Sequence, residues 1–300
     1  MLLDLLEAIR PREWTKNLFV LAPLVFAKRI GDLAALHVAL GTLAAFCLLA
    51  SAVYLLNDLL DLPLDRLHPE KKDRPIAAGR ISRRAAGAFA LLFAAGGLGF
   101  GALLDPAFPS AFSGFLLAYL ALNAAYSLAL KRVVVLDAIC VAGGFLLRIH
   151  AGGAAIDAPV SHWLSLCTLF VALLLALSKR RAELARMGED SSRHRHALAH
   201  YSPEFLDQLM SWLSACTILS YAIYTISPET VAKFGTDDLW WTVPFVVYGI
   251  ARYSYLVHRR EGGGNPTRTM LRDAPFVANA LLWAAVAIAL IYLGGDGAGP

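Results

Sequence analysis

Long apolar runs alternate along the chain with short polar breaks that are rich in Lys and Arg. A helix needs about 20 apolar residues to cross a hydrocarbon core. Runs suited to such a crossing centre on residues 14–27, 36–56, 84–104, 111–130, 133–151, 160–178, 208–227, 239–257 and 274–294. Most have interiors of Ala, Leu and Gly. The first is short and contains Pro23. Nine crossings are therefore expected, with eight as the count if the first is discounted. The pattern predicts an all-α integral membrane protein, with residues 1–300 forming a single polytopic domain.

Composition agrees. Of 300 residues, 58% are hydrophobic and 17% charged, too apolar for a soluble globular domain and too charged for bare lipid-facing helices. Residues 1–12 mix acidic and basic side chains in an amphipathic pattern without a signal-peptide cleavage site. Cys47, Cys140, Cys167 and Cys216 all fall inside predicted spans and form no CxxC pair, so they read as core residues, not as disulfides or zinc ligands. No nucleic-acid partner is expected, and a homo-oligomer is compatible with the sequence.

Charge then sets orientation. With the N-terminus inside, the inner connections are roughly 57–83, 131–132, 179–207 and 252–273. With the N-terminal segment they hold nearly all of the 27 Lys and Arg. The outer side keeps Lys28, Arg29 and Lys233, and Arg148 lies within a span. This bias places the N-terminus in the cytoplasm, as in a bacterial inner membrane. Outer loops such as "LDPAFPS" carry little chemistry, so an active site is expected at the cytoplasmic face.

The second run ends in "YLLNDLLDLPLDRLHPEKKDRPIAAG". Asn57 and Asp61 are four apart and share a helix face, with Tyr54 one turn earlier. Pro63 restricts Leu62 and is expected to end the helix, leaving Asp65 on the following loop near the same cluster. Hard oxygen donors at a helix end suit Mg²⁺, which binds a few carboxylates together with substrate phosphate oxygens and water. Asn57, Asp61 and Asp65 are the candidate metal ligands; Asp58, Asp61 and Asp65 are the candidate catalytic carboxylates. Lys71 and Arg74 follow between prolines, placed to neutralise phosphate oxygens that the metal does not reach. The bland reading of the whole stretch is a solvated helix end with topology-fixing charge, a costly arrangement at a membrane interface without a ligand.

These residues resemble the first aspartate-rich motif and loop of the UbiA superfamily of intramembrane prenyltransferases. The resemblance implies nine transmembrane helices around a central cavity, with Mg²⁺ and a diphosphate held by the aspartates. Members that prenylate aromatic acceptors carry a second acidic motif between the sixth and seventh helices. Here that loop is "SKRRAELARMGEDSSRHRHALAHYS", opening with Lys179, Arg180 and Arg181. One branch resembles the chain in that departure, and also in "RPREWTKN", "YSLALKRVVVLDAICVAGGFLLRIHAGGAA" and "SKRRAEL": the decaprenyl-phosphate phosphoribosyltransferases. That resemblance implies transfer of phosphoribose from phosphoribosyl pyrophosphate (PRPP) to a polyprenyl phosphate lipid. Two anionic substrates would need basic residues at more than one place.

Further candidates for substrate contact follow. Lys16 lies at the mouth of the first span beside Arg10, Arg12 and Trp14, where snorkelling is the alternative. Lys131 and Arg132 form the whole inner connection after the fourth span, where they would meet a lipid phosphate or simply fix topology. Asp137 is expected about two turns into the fifth span, facing the cavity, where it would orient Lys131 or contact sugar. Arg148 lies nearer the outer side, with outward snorkelling as its alternative. His194, His196 and His200 are interleaved with arginines and read as a solvated loop. Trp240 and Trp241 read as an interfacial belt. Asp273 receives no role. The rivals are prenyl transfer to an aromatic or lipid acceptor, which the basic loop disfavours, and a transporter, which would place ionisable groups at mid-bilayer in broken helices.

Overall fold

The computed structural model describes residues 2–69, 71–105, 107–187, 201–259 and 266–293, and these contain helices and no strands. His194, His196 and His200 lie outside the described residues. The chain forms two compact units, residues 1–160 and 161–300.

The first unit opens with α1 (Leu2–Ile9), a 3-10 segment (Pro11–Leu21) and α2 (Ala22–Phe26). The long α3 (Leu33–Leu60) and the single turn α4 (Leu62–Asp65) follow, then α5 (Arg83–Leu103) and α6 (Ala111–Leu128). A 3-10 turn (Leu130–Arg132) leads into α7 (Leu136–Ala155). Side-chain caps mark the starts of α3, α5 and α6. Asp32 accepts from the Ala35 amide at 3.1 Å, and that bond, with Arg29, holds its carboxyl below the usual carboxylate range. Ser82 caps α5 at 3.2 Å, and Ser110 and Ser113 form a reciprocal capping box on α6.

Helices in lipid gain little from apolar burial against one another, so close packing must hold them. Helix α3 packs against α5 along a small-residue contact: a Cβ on Gly97 would lie 2.6 Å from the Leu49 side chain. Gly152 of α7 is tighter still. A Cβ there would stand 2.0 Å from the Val20 carbonyl oxygen, so glycine is required for the 3-10 segment to lie against α7. Phe46, Leu49, Leu116, Tyr119 and Ala151 close the core behind that contact.

The second unit contains α8 (His162–Met187), α9 (Pro203–Ile226), α10 (Pro228–Phe234), a 3-10 turn (Asp238–Thr242), α11 (Val243–Arg259), α12 (Pro266–Leu271) and α13 (Ala274–Leu293). Helix α8 packs against α9, and α11 against both α9 and α13. The Tyr221 hydroxyl joins these elements, 2.7 Å from the Thr242 hydroxyl and accepting from Trp283 Nε1 at 2.8 Å. Asp273 is a tether between helices. It accepts from two nitrogens of Arg252 at 3.0 and 2.9 Å and caps α13 through the Phe276 amide. Trp240 and Trp241 stack with ring centres 3.9 Å apart and remain exposed.

Among the described residues, seven helices are long and apolar enough to cross a membrane: α3, α5, α6, α7, α8, α9 and α13. Two predicted spans take another form. Residues 14–27 lie in the 3-10 segment and the five-residue α2, and 239–257 are divided between a 3-10 turn and the 17-residue α11. The four cysteines are free thiols; Cys140 is buried, and Cys47, Cys167 and Cys216 are half-buried.

Candidate functional site

The site is built on the end of α3. Helix α3 closes at Asp61, whose backbone stays in the right-handed helical region, and α4 starts at the next residue with Pro63 in its first turn. Proline is tolerated there because the first-turn amides have no intrahelical acceptor. Asp65 therefore ends a helical turn; it does not lie on a loop. Its amide bonds to the Asp61 carbonyl at 2.8 Å.

The basic partners sort the polar residues into two groups. Asn57 and Asp61 form one. Lys131 Nζ reaches both, donating to Asp61 Oδ1 at 2.5 Å and to Asn57 Oδ1 at 3.4 Å. Asp58 and Asp65, two turns apart, form the other. Arg74 bridges them, at 3.1 Å from Asp58 and 2.7 Å from Asp65. Arg10 adds a second guanidinium on Asp58 at 2.5 Å and lies over the Tyr54 ring, 5.0 Å from its centre. The Asp58 and Asp65 carboxylates are almost fully buried, whereas Asp61 is partly open. Two guanidinium ions on two buried carboxylates satisfy the rule that buried charge must be paired.

The remaining candidates divide. Lys71 is on the same loop as Arg74, and its amide donates to His68 Nδ1 at 3.3 Å. Lys16 extends from the 3-10 segment and pairs with Glu13 at 2.5 Å, leaving 39% of its side chain exposed. Asp137 is the second residue of α7, in its first turn, and is fully buried; it is not two turns inside the helix. A carboxylate suits that place because the helix N-terminus is electropositive. Arg148 does not snorkel. It is buried, donates to Asn17 Oδ1 at 2.7 Å, to the Tyr119 hydroxyl at 2.8 Å and to the Gly144 carbonyl at 3.0 Å, and lies over the Tyr119 ring. It ties α7 to α6 and to the 3-10 segment. In the second unit, Lys179 is exposed on α8, while Arg180 is buried and pairs with Glu183 at 3.2 Å.

Sequence reasoning missed Arg10 as a member of the cluster. It lies 48 residues from Asp58 and gives no spacing signal. Its backbone is left-handed, φ 53, and Val135, just after the Lys131 turn, also has a positive φ, 67. Such conformations cost about 1–3 kcal/mol and persist where surrounding contacts fix them. For Arg10 those contacts include α1, which Arg80 holds through Asp4 and Glu7 at 2.8 Å each.

Among the described residues, no group of three or more His, Cys, Asp or Glu is gathered to hold a metal. The donor chemistry nevertheless fits a hard cation that arrives with a phosphate. Asn57 and Asp61 offer hard oxygens at the electronegative end of α3, and an ammonium ion already occupies the position between them. Mg²⁺ typically takes one or two carboxylates and completes its shell with phosphate and water.

The chain is 34% identical to the decaprenyl-phosphate phosphoribosyltransferase of Mycolicibacterium smegmatis, covering 96% of this chain and 92% of the relative. It is 32% identical to the protein of that name from Corynebacterium glutamicum, covering 96% and 87%. A UbiA homologue from Archaeoglobus fulgidus, solved with GPP and Mg²⁺, shares the fold with a TM-score of 0.73 at 22% identity, covering 96% of this chain and 99% of the other. Residues 18–279 match the model of the UbiA prenyltransferase family, and the chain belongs to that family.

Proposed function

We propose that the protein transfers 5-phosphoribose from PRPP to a polyprenyl phosphate of the decaprenyl type, releasing pyrophosphate, at the cytoplasmic face of a bacterial inner membrane. The observation that carries this reading is the cluster at the end of α3, where a partly exposed Asn57–Asp61 pair, bridged by Lys131, adjoins a loop bearing Lys71 and Arg74. Such a set suits a metal-bearing diphosphate. The names of the relatives carry a phosphoribosyl group and decaprenyl phosphate, with which PRPP as donor and a polyprenyl phosphate as acceptor are consistent. The product would serve as a precursor of cell-wall arabinose or a related glycolipid.

In the reaction an oxygen of the lipid phosphate attacks C1 of the ribose. The bond from C1 to pyrophosphate breaks, and its electron pair leaves with pyrophosphate. Lipid phosphate is already ionised, so a general base has little to add. Catalysis is then positioning and neutralisation of the leaving group. Asn57 and Asp61 would hold Mg²⁺, whose contribution when bound is to neutralise the pyrophosphate. Arg74 and Lys71 would take phosphate oxygens. Asp58 and Asp65 orient Arg74, and Arg10 fixes Asp58. Lys16, Lys131, Lys179 and Arg180 are assigned to the anionic groups of the substrates.

Nine crossings with a cytoplasmic N-terminus are part of the proposal. A 3-10 helix rises about 2.0 Å per residue against 1.5 Å for an α-helix, so residues 11–26 reach about 30 Å, a full hydrocarbon thickness. The 3-10 turn before α11 lengthens that segment in the same way.

Prenyl transfer is the second reading, favoured by the family's name and by the GPP-bound fold relative. The test is to supply the purified protein with labelled PRPP and polyprenyl phosphate, and separately with geranyl diphosphate and an aromatic acid. A sugar-labelled lipid from the first mixture supports the proposal. Prenylation in the second mixture, without turnover of PRPP, would overturn it.

A further inference from the structure

Lys131 occupies the place a metal would take. Its ammonium bridges Asp61 Oδ1 and Asn57 Oδ1, and its side chain is 13% exposed. It comes from a different element, the 3-10 turn Leu130–Arg132. A divalent ion using both of those oxygens must evict it. Once evicted, Lys131 is a half-buried cation beside a divalent cation, and its former carboxylate partner is engaged. A diphosphate removes that penalty, because its oxygens accept from the ammonium while others bind the metal.

We propose that Lys131 is a resident counter-cation that makes divalent-metal binding conditional on a diphosphate. The inference rests on the reading of Asn57 and Asp61 as metal-holding residues. Lys131 neutralises Asp61 in the absence of substrate, yields that carboxylate to the metal and moves to phosphate oxygens. Metal and diphosphate then bind cooperatively, and linkage requires each to strengthen the other by the same factor.

The experiment measures Mn²⁺ binding by electron paramagnetic resonance on the full-length protein in lipid nanodiscs. It is done at fixed free Mn²⁺, with and without inorganic pyrophosphate. In the wild-type protein pyrophosphate should tighten Mn²⁺ binding by about 10-fold or more, equivalent to about 1.4 kcal/mol of coupling. Lys131→Met and Lys131→Gln should each bind Mn²⁺ alone about 10-fold more tightly than wild type, with the effect of pyrophosphate reduced to less than about 3-fold. Lys131→Arg keeps the charge and should behave as wild type. Adding Asp61→Asn to Lys131→Met should abolish the gain. If both neutral variants bind Mn²⁺ no more tightly than wild type, while pyrophosphate still promotes binding, the proposal fails and the metal reading stands. If no variant binds Mn²⁺ under either condition, both fall.

Discussion

Arg74→Ala separates the two roles assigned to one guanidinium. In the structure Arg74 bridges Asp58 at 3.1 Å and Asp65 at 2.7 Å, with 27% of its side chain exposed. PRPP carries about four to five negative charges near neutral pH, and one Mg²⁺ offsets two, so Lys and Arg must meet the rest. A charge-assisted contact to phosphate contributes about 1.5–3 kcal/mol, and each 1.4 kcal/mol is a factor of ten. Loss of Arg74 should raise the apparent KM for PRPP by about 10–100-fold, with a smaller effect on the lipid substrate. It also leaves the buried Asp65 carboxylate without its donor, and orphaning one partner of a fully buried pair costs about 3–5 kcal/mol. Partial exposure of Arg74 lowers that cost, so a modest fall in thermal stability is expected. The assay is steady-state kinetics with each substrate varied in turn, alongside thermal denaturation. Asp65→Asn in the Arg74→Ala background removes the orphaned charge. Stability should then recover while the KM defect remains. If KM recovers together with stability, or never changes, Arg74 is a structural cation and the donor assignment is wrong.

Other outcomes follow from the same contacts. Asp61→Asn should abolish most activity and its dependence on divalent cations while leaving the protein folded; full activity in excess chelator would defeat the metal assignment. Lys179→Ala should weaken substrate use without altering stability, whereas Arg180→Ala should lower both, because Arg180 is buried and paired with Glu183; normal kinetics in both would reduce that basic stretch to a topology signal. Arg148→Met should lower the melting temperature, since it leaves Asn17 Oδ1 and the Tyr119 hydroxyl without their shared donor. An unchanged melting temperature would show that the buried network contributes nothing to holding α6, α7 and the 3-10 segment together.

The apolar runs and the acid–base cluster were legible because they are local. A span is a property of about 20 consecutive residues, and Asn57 and Asp61 share a face through helix periodicity alone. Pro63 misled in part. A proline reads as a helix end, but at the second position of a new turn it breaks one hydrogen bond and preserves the helical phase, so Asp65 stays within helical register of both Asp61 and Asp58 and shares Arg74 with Asp58. The Arg10–Asp58 and Arg252–Asp273 pairs are tertiary, and no pattern in the chain announces them. Nor does hydropathy distinguish a 3-10 segment from an α-helix: Gly152 admits the 3-10 segment to its place against α7, a relation visible only in the packing.

In the proposed reaction the bond that breaks joins C1 of the ribose to pyrophosphate. PRPP labelled with ¹⁴C in the ribose ring and ³²P in the β-phosphate, given to the purified protein with polyprenyl phosphate, follows both halves of the donor at once. ¹⁴C should enter the lipid fraction while an equal amount of ³²P appears as free pyrophosphate, with no ³²P on the lipid. Transfer of ³²P to the lipid, or no entry of ¹⁴C while a prenyl diphosphate is consumed, would contradict that reaction.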